Sequence, residues 1–479
     1  MTHDPTQDIH LTAGDLFPNK QPKDAAWGGP IELPEVQPVP MLEVETPRAA
    51  PHPTATADAC DITTAQLDVV PMAKAKARGI PLSGGHVKPA NVLHARVVAG
   101  CGGGPEKTIL RSPKFADPAR YNVTAAYLYP QGDPGMCVIR ESAKQLNCPL
   151  YEIAEAHALD RHAVDAMAEL CRDLKIDIWH SHDYKTNVLG RLIRRKHPMK
   201  LITTAHGFTR ETWRTKLYYH IDNLAMLGYD QVIAVSPPLI EHCAHHGVNP
   251  DRLTYIPNAI DTAEYRRTQT PGLAKAEMGL PANSFAIGVI GRLSVEKGVD
   301  RAIRMMADLV KTHPHAELHL IGDGPQRKEL EKLAVQLGVA NSIRWWGWQT
   351  DARPIYEMLD MLLLPSRTEG LPNVVLEAMA MRVPVAATDV GGVSDLLDHG
   401  DCGVILSEDE DDWTKSIAPL MTSPGICDTL AERSHQRVCQ SFSFSRRMQK
   451  IMGVYDKVLG RGVSAMNYPK ADECVKRAA

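Results

Sequence analysis

The stretch from Met361 to Met379 constrains this chain more than any other. Met361, Leu362, Leu363 and Leu364 form a short apolar run with the character of a buried strand. Pro365 ends it, and a polar loop follows in which Gly370 supplies an unusual backbone angle and Pro372 fixes the entry of a helix. Val374–Ala380 reads as that helix. A buried strand that runs through a polar loop into a helix start is the ligand-binding corner of an open α/β sheet. Free backbone N–H groups and the helix dipole make such a corner attract anions, phosphate above all.

Two carboxylates bracket the corner, Glu369 in the loop and Glu377 in the helix. Eight residues of helix span about 12 Å, beyond the roughly 5–9.5 Å that separates the carboxylates of glycosidases. A loop-borne Glu369 is free to point at the head of a long ligand while Glu377 meets another part of it. A sugar nucleotide fits, with its diphosphate at the helix start between the two. The competing reading is a pair of solvated carboxylates favoured by the helix dipole.

The segment Pro365-Ser366-Arg367-Thr368-Glu369-Gly370-Leu371-Pro372-Asn373-Val374-Val375-Leu376-Glu377-Ala378-Met379-Ala380 resembles the E-x7-E signature of retaining glycosyltransferases of family 4, which have the GT-B fold. Gly391-Gly392-Val393-Ser394-Asp395 through Gly403-Val404 also matches. With the motifs below, the similarity runs from roughly Val92 to Leu459. It implies an α/β protein of GT-B type: two Rossmann-like domains facing across a cleft, with the C-terminal helix crossing back to the N-terminal domain. On that pattern residues 1–88 are a flexible Pro-rich extension and 89–265 an N-terminal acceptor domain, to which 445–460 cross back. Residues 266–444 are a donor-nucleotide domain and 461–479 a loose tail.

Composition is ordinarily globular. The 479 residues leave room for two or three domains, and 44% of them are hydrophobic. A formal net charge of −4 gives no global attraction to nucleic acid. Ten cysteines occur without a C-x-x-C pair and read as reduced thiols. Met-Thr-His-Asp-Pro is not a signal peptide, and no apolar run approaches the roughly 18 residues of a membrane span. The expected location is cytoplasmic. Arg191, Arg194, Arg195, Lys196 and Lys200 read as a solvated basic face. Because many members of the family act on lipid-linked acceptors, the resemblance adds a peripheral contact with anionic lipid at the inner membrane face. The first 88 residues crowd prolines, among them Pro34, Pro38, Pro40, Pro47, Pro51 and Pro53, and carry few aromatics. They cannot bury enough apolar surface to fold alone, apart from a short helix near Ile62–Val70.

Asn91–Val98 is predicted as the first strand, followed by the glycine-rich turn Gly100–Lys107 and helical Thr108–Arg111. A dinucleotide fingerprint would need glycine where Pro105 stands, and a Walker A Gly-Lys-Ser/Thr is missing. The resemblance implies that Gly103 and Gly104 face the cleft near the donor. Strand-like Val123–Leu128 and Ile176–His180, with helical Val164–Leu174 between them, continue the alternation. His180 and His182 share one face of a strand end, so zinc is conceivable, but no third ligand is evident. His206 closes the strand Leu201–Ala205, where the resemblance implies a cleft histidine holding a hydroxyl of the donor sugar. Pro257-Asn258-Ala259-Ile260-Asp261 matches the family's close of the first domain, except that Ala259 replaces a glycine and puts the turn's backbone angle in question.

The second domain opens with the strand Phe285–Ile290 and the loop Gly291-Arg292-Leu293-Ser294-Val295-Glu296-Lys297-Gly298. Arginine offers a planar fork to phosphate oxygens and lysine a point charge; together they can offset a diphosphate, the role the family gives this motif. Trp348 follows the strand-like Ile343–Trp346 and is able to stack on the base, although packing is the commoner fate of such tryptophans. The acidic run Glu408–Asp412 contains a D-x-D but enters a helix, so it reads as a dipole-favoured start and not a metal site. Phe442–Leu459 is an amphipathic helix.

The reading that joins these features is a retaining, metal-independent glycosyltransferase. It moves a sugar from a nucleotide-sugar donor to a hydroxyl on a glycan or lipid-linked glycan. His206, Glu369, Arg292 and Lys297 would be catalytic. Gly103, Gly104, Gly370, Leu371, Pro372, Asn373 and Glu377 would join the two cations in binding the donor, with Glu369 on the sugar hydroxyls and Glu377 on the ribose. No cofactor and no nucleic-acid partner are expected. The alternatives are a nucleotide-sugar epimerase of similar fold, a non-catalytic sugar-nucleotide binder, and a scaffold acting through the Pro-rich arm.

Overall fold

The computed structural model describes residues 88–461 except 101, 158–159, 208–212 and 408. The Pro-rich segment with its expected helix at Ile62–Val70, and the expected tail beyond Arg461, lie outside the described residues.

Two parallel sheets carry the architecture. The first contains β1 (Ala90–Val97), β2 (Tyr121–Pro130), β3 (Leu150–Glu155), β4 (Ile178–Ser181), β5 (Lys200–Ala205), β6 (Gln231–Ala234) and β7 (Leu253–Tyr255), in the spatial order β3-β2-β1-β4-β5-β6-β7. The second contains β8 (Phe285–Ile290), β9 (Ala316–Ile321), β10 (Ile343–Gly347), β11 (Met361–Leu364), β12 (Val385–Thr388) and β13 (Val404–Leu406), in the order β10-β9-β8-β11-β12-β13. Both are doubly wound Rossmann sheets whose strand order reverses beside their first strand. The central strands are buried on both faces, as parallel sheets require: all four residues of β4, β6, β11 and β12 are buried.

That topology decides where ligands can bind. In the first sheet the reversal lies between β1 and β4, so the turn after Val97 and the end of β4 at His180–Asp183 meet there. In the second it lies between β8 and β11, so the Arg292 loop and the Glu369 loop leave neighbouring strands at the same edge. The glycine-rich turn, the His180–His182 pair, the Arg292 loop and the Glu369 loop therefore sit at topological switch points.

The last helix, Phe444–Leu459, crosses to the first sheet. Its buried side chains Phe444, Met448, Ile451 and Tyr455 recur at helical spacing and pack on Val92, Ile178, Ile202 and Ile233. Burying each such side chain contributes about 1.5–3 kcal/mol. Arg120 and Tyr121 fasten the far end through Asp456, at 2.5 Å each. At the near end Ile260 and Ser443 form a parallel bridge. Ala259 needs no left-handed backbone: among the described residues other than glycine, only Asn147, Lys175, Arg382, Asp398 and His399 have positive φ.

Candidate active site

The Glu369 loop is the meeting point of the two sheets. A Cβ built on Gly370 would overlap the carbonyl oxygen of His206, and Gly207 lies against the Gly370 backbone. Only glycine allows that approach. The Gly370 carbonyl accepts from Gly392 N at 2.8 Å, which fastens the loop to the Gly391-Gly392 turn. Asn258 Nδ2 donates to the Leu371 carbonyl at 2.9 Å, so the turn around Ala259 also positions the loop.

Glu369 is not a free carboxylate. Its Oε1 accepts from Lys297 Nζ and from the buried Ser366 Oγ, both at 2.7 Å, and its side chain is only 9% exposed. The expectation of a carboxylate free to point at a ligand is corrected accordingly: two donors already aim it. Arg292 pairs with Glu296 at 2.7 Å but keeps its side chain 61% exposed, so its remaining N–H groups face solvent. Being on the surface, that pair contributes little to stability.

Two helix starts converge beside this loop. The helix Asn373–Ala380 begins after Pro372 without a side-chain cap, leaving its first amides open. The helix Gly104–Phe115 begins with Gly103 as its N-cap, four residues earlier than the expected helical segment at Thr108. Gly103 N is bonded to Glu106 Oε2 at 2.5 Å. Asn373 Nδ2 donates to the Gly104 carbonyl at 3.1 Å, and a Cβ at Gly104 would strike that amide. The positive ends of two helices, one from each sheet, thus face the same place. Glu377 lies one turn inside the second helix, 1% exposed, accepting from Lys107 Nζ at 2.5 Å and from Tyr356 OH at 2.9 Å. Burial alone would lower the Lys107 pKa, but Glu377 raises it overall, so the ammonium is held charged. Sequence reasoning missed Lys107, Ser366 and Tyr356. Lys107 and Ser366 lie within motifs that were read without a role being given to them, whereas no local pattern marks Tyr356.

The first sheet contributes neutral groups. His206 Nε2 lies 3.0 Å from His182 Nδ1, and its own Nδ1 is buried with no partner among the described residues. Burial, reinforced by Arg96 and Arg447, holds its pKa well below the usual imidazole value. His182 bonds onward to His94 at 2.8 Å. His94 is the third histidine that the sequence did not reveal: ligand atoms of His94, His180 and His182 all lie within 4.8 Å of one another. Their arrangement does not suit a metal. A ligating imidazole directs a lone pair in its ring plane, whereas these rings lie face on face, at 16° for His94–His182, 21° for His180–His182 and a more tilted 32° for His94–His180. Their nitrogens are engaged by one another, by Tyr455 and by Thr204. The guanidinium of Arg447 also opposes a second positive charge here, as the depressed His94 and His180 pKa values reflect after burial itself.

Other expected features fall differently. Trp348 is 51% exposed beyond the edge strand β10. The acidic run is tied toward the Glu369 loop and not separate from it: Arg301 bonds Glu410 at 2.6 Å and the Pro365 carbonyl at 3.3 Å while lying over Trp413. Within the basic run, Arg194 pairs with Asp230 and Lys196 with Asp165. Among the described residues no helix is long and apolar enough to cross a membrane.

Comparison with known proteins follows this division into two sheets. Residues 130–264 match the model described as Glycosyltransferase Family 4, and residues 284–423 match Glycosyl transferases group 1. An Escherichia coli UDP-Gal:alpha-D-GlcNAc-diphosphoundecaprenol alpha-1,3-galactosyltransferase is 23% identical over 306 residues, covering 62% of this chain and 79% of the relative. A lipopolysaccharide core biosynthesis mannosyltransferase, LpcC, from Rhizobium leguminosarum bv. viciae is 28% identical over 293 residues, covering 59% and 79%. Among solved structures, Anabaena HepE in complex with UDP-glucose superposes with a TM-score of 0.67 at 20% identity, covering 76% of this chain and 99% of that one. The glycosyltransferase WaaG superposes at 0.59 and 17%, covering 75% and 99%. Two family models that together span more than half of the chain, one over each sheet, place it among the family 4-type glycosyltransferases of the GT-B fold.

Proposed function

We propose that the protein is a retaining, metal-independent transferase that passes a sugar from a nucleotide-sugar donor to a hydroxyl on a glycan or lipid-linked glycan. The observation that carries this reading is the convergence of two helix starts, at Gly104 and Asn373, beside the Lys297–Glu369 pair. Such a place suits a diphosphate: open amides and dipole ends meet its charge, and Arg292 and Lys297 stabilise the charge that grows as the phosphate leaves. Glu369, aimed by Ser366 and Lys297, orients hydroxyls of the sugar. Glu377 receives the ribose at the far side of the helix start, sharing its carboxylate with Lys107 and Tyr356.

Retention of the anomeric configuration is supported by the E-x7-E resemblance. The leaving phosphate would take the acceptor's proton on the front face. Fixed cations take the place that a divalent ion fills in metal-dependent transferases. The names of relatives that build lipid-linked and lipopolysaccharide glycans favour an acceptor of that class. They also favour work at the inner face of a membrane, where the basic run around Arg191 and Arg195 would contact anionic lipid.

The test is a thermal-shift screen against nucleotide sugars, beginning with UDP-glucose, since a ligand that binds the folded state raises its melting temperature. The reaction is then run in excess chelator and the product anomer read by NMR. Stabilisation by a nucleotide sugar, activity in chelator and a retained anomer are expected. Turnover of the donor without any acceptor would move the assignment to an epimerase. Manganese-dependent activity or an inverted product would overturn the corresponding half of the mechanism.

A further inference from the structure

A single file of hydrogen bonds runs from the core of the first sheet to the cleft. Thr204 Oγ1 lies 2.8 Å from His180 Nε2, and His180 Nδ1 lies 2.8 Å from Tyr455 OH. Tyr455 OH lies 3.2 Å from His94 Nε2, His94 Nδ1 2.8 Å from His182 Nε2, and His182 Nδ1 3.0 Å from His206 Nε2. The file ends at His206 Nδ1, which is buried and has no partner among the described residues.

The four rings are neutral. Burial is the main cause, and it takes His94 down to about 3. The charged groups around them act in the same direction: Arg447 from the C-terminal helix on His94, His180 and His206, and Arg96 from β1 on His182 and His206. Arg96 is itself ion-paired to Glu106 and lies near Asp183, so the acidic groups close to the file are already opposed by a cation. A neutral imidazole has one N–H donor and one bare acceptor nitrogen. Every link therefore has a direction: the file runs one way, runs the other, or breaks at Tyr455, whose hydroxyl oxygen can accept from both His180 and His94.

The place of the one unmet donor decides among them. Its hydroxyl is buried, and among the described residues His180 is its one hydrogen-bond partner. If Thr204 donates to His180, then His180 donates to Tyr455, Tyr455 to His94, His94 to His182, and His182 to His206. The last proton then stands on His206 Nδ1. The reverse direction leaves the threonine hydroxyl hydrogen without an acceptor in the sheet interior, where no ligand can reach it, and leaves His206 Nδ1 bare. A break at Tyr455 would strand the tyrosine hydrogen in the same interior. Buried donors without acceptors are rare, and only the first direction puts the unmet donor on His206, a partly exposed residue whose backbone meets Gly370, where a ligand can satisfy it.

We propose that this file, set by Thr204 and passed through Tyr455 of the C-terminal helix, fixes His206 as the Nδ1–H tautomer, so that it donates a hydrogen bond to an oxygen of the transferring sugar and does not act as a base. All four histidines then carry their proton on Nδ1. Thr204, His180, Tyr455, His94 and His182 are positioning residues that act through His206. The identity of the oxygen rests on the nucleotide-sugar reading above; the tautomer does not.

The experiment is long-range 1H–15N correlation NMR on the full-length, ligand-free chain with 15N-labelled histidine at pH 7, the signals of His206 and His182 being identified by their loss in H206N and H182N. A protonated Nδ1 and a bare Nε2 are expected at both. A protonated Nε2 at His206, or an imidazolium, overturns the proposal whatever the substrate is. Thr204→Val removes the hydroxyl that sets the direction while conserving shape, so His206 is expected to show averaged tautomers, and Thr204→Ser to restore the single one. Turnover should fall about twofold to fivefold in Thr204→Val and return in Thr204→Ser. An unchanged tautomer in Thr204→Val, or turnover that holds or rises, overturns it, since a histidine acting as a base would gain from a bare Nδ1.

Discussion

The two walls of the cleft solve the same problem with opposite electrostatics. The wall from the second sheet is charged and local: Arg292, Lys297, Glu369 and Glu377 come from two loops and one helix start, each cation or carboxylate held by an opposite partner. The wall from the first sheet is neutral and dispersed. His94, His180, His182 and His206 come from β1, the end of β4 and the end of β5, joined by a tyrosine from the last helix. A wall of ion pairs can exchange a partner for a phosphate at modest cost, because its charges already exist and its cations Arg292, Lys297 and Lys107 reach water. A wall of buried imidazoles cannot accept charge cheaply and so works by orienting hydrogen bonds. On the proposed reading, binding of charge and positioning of the reacting sugar fall to different domains.

The largest expected effect tests the charged wall. Replacing Arg292 and Lys297 together by alanine should lower kcat/KM by about 3–6 kcal/mol, given roughly 1.5–3 kcal/mol for each charged hydrogen bond to phosphate. Circular dichroism should remain native. Unchanged donor affinity in that folded double variant would remove both residues from the site.

Acid should break the neutral wall next. The folded pKa of each of the four histidines is depressed below its unfolded value, so the unfolded chain binds protons first as pH falls. The stability they provide is full above about pH 6.5 and is lost as pH falls below it. For His94, whose value drops to about 3, the loss is about 1 kcal/mol between pH 7 and 5.5. The other three act in the same direction, whereas the second sheet has a single comparable histidine, His319, lowered to about 4 by burial. Melting temperature should therefore fall steeply between pH 7 and 5.5, and less steeply in H94N. A melting temperature that is flat across that range would mean the rings are not neutral in the fold.

Glu377 sharpens the contrast from inside the charged wall. In Glu377→Ala the buried Tyr356 hydroxyl loses its carboxylate, at about 1–3 kcal/mol of stability, and nucleotide affinity should fall more than turnover. Glu377→Gln keeps an acceptor for Tyr356 and should recover most of the stability but not the affinity. Equal binding of free UDP by Glu377→Ala and the parent protein would detach this residue from the ribose. The smallest effect belongs to Trp348. Half exposed, it should cost less than about 0.5 kcal/mol of stability when changed to alanine, and a change in donor KM without a change in kcat would mark it as a stacking surface.

The charged wall was legible because its residues are neighbours in sequence. Arg292 and Lys297 lie in one loop, and Glu369 through Glu377 span one strand–loop–helix unit whose strand, Met361–Leu364, was read with its observed bounds. The neutral wall was half legible. His180 and His182 stood out by their period, but His94 looks like any residue of a strand, and Tyr455 like any core position of an amphipathic helix. What joins Tyr455 to His94 is a hydrogen bond across 361 residues, which no local pattern encodes. Glu369 was seen and misjudged for the same reason: its aim is set by Lys297, 72 residues away.

Sequence by itself determined the alternation of strands and helices, the glycine and proline positions of the loops, and the charges offered at the second switch point. These follow from hydrophobic period and backbone sterics, which act over a few residues. Tertiary structure decided which charges are paired and which nitrogen of His206 is left without a partner among the described residues. It also decided that two helix starts from different sheets share one place. Those depend on burial and on contacts between segments hundreds of residues apart. There a single unmatched donor costs as much as a strand's worth of propensity, and only the packed fold can show where it lies.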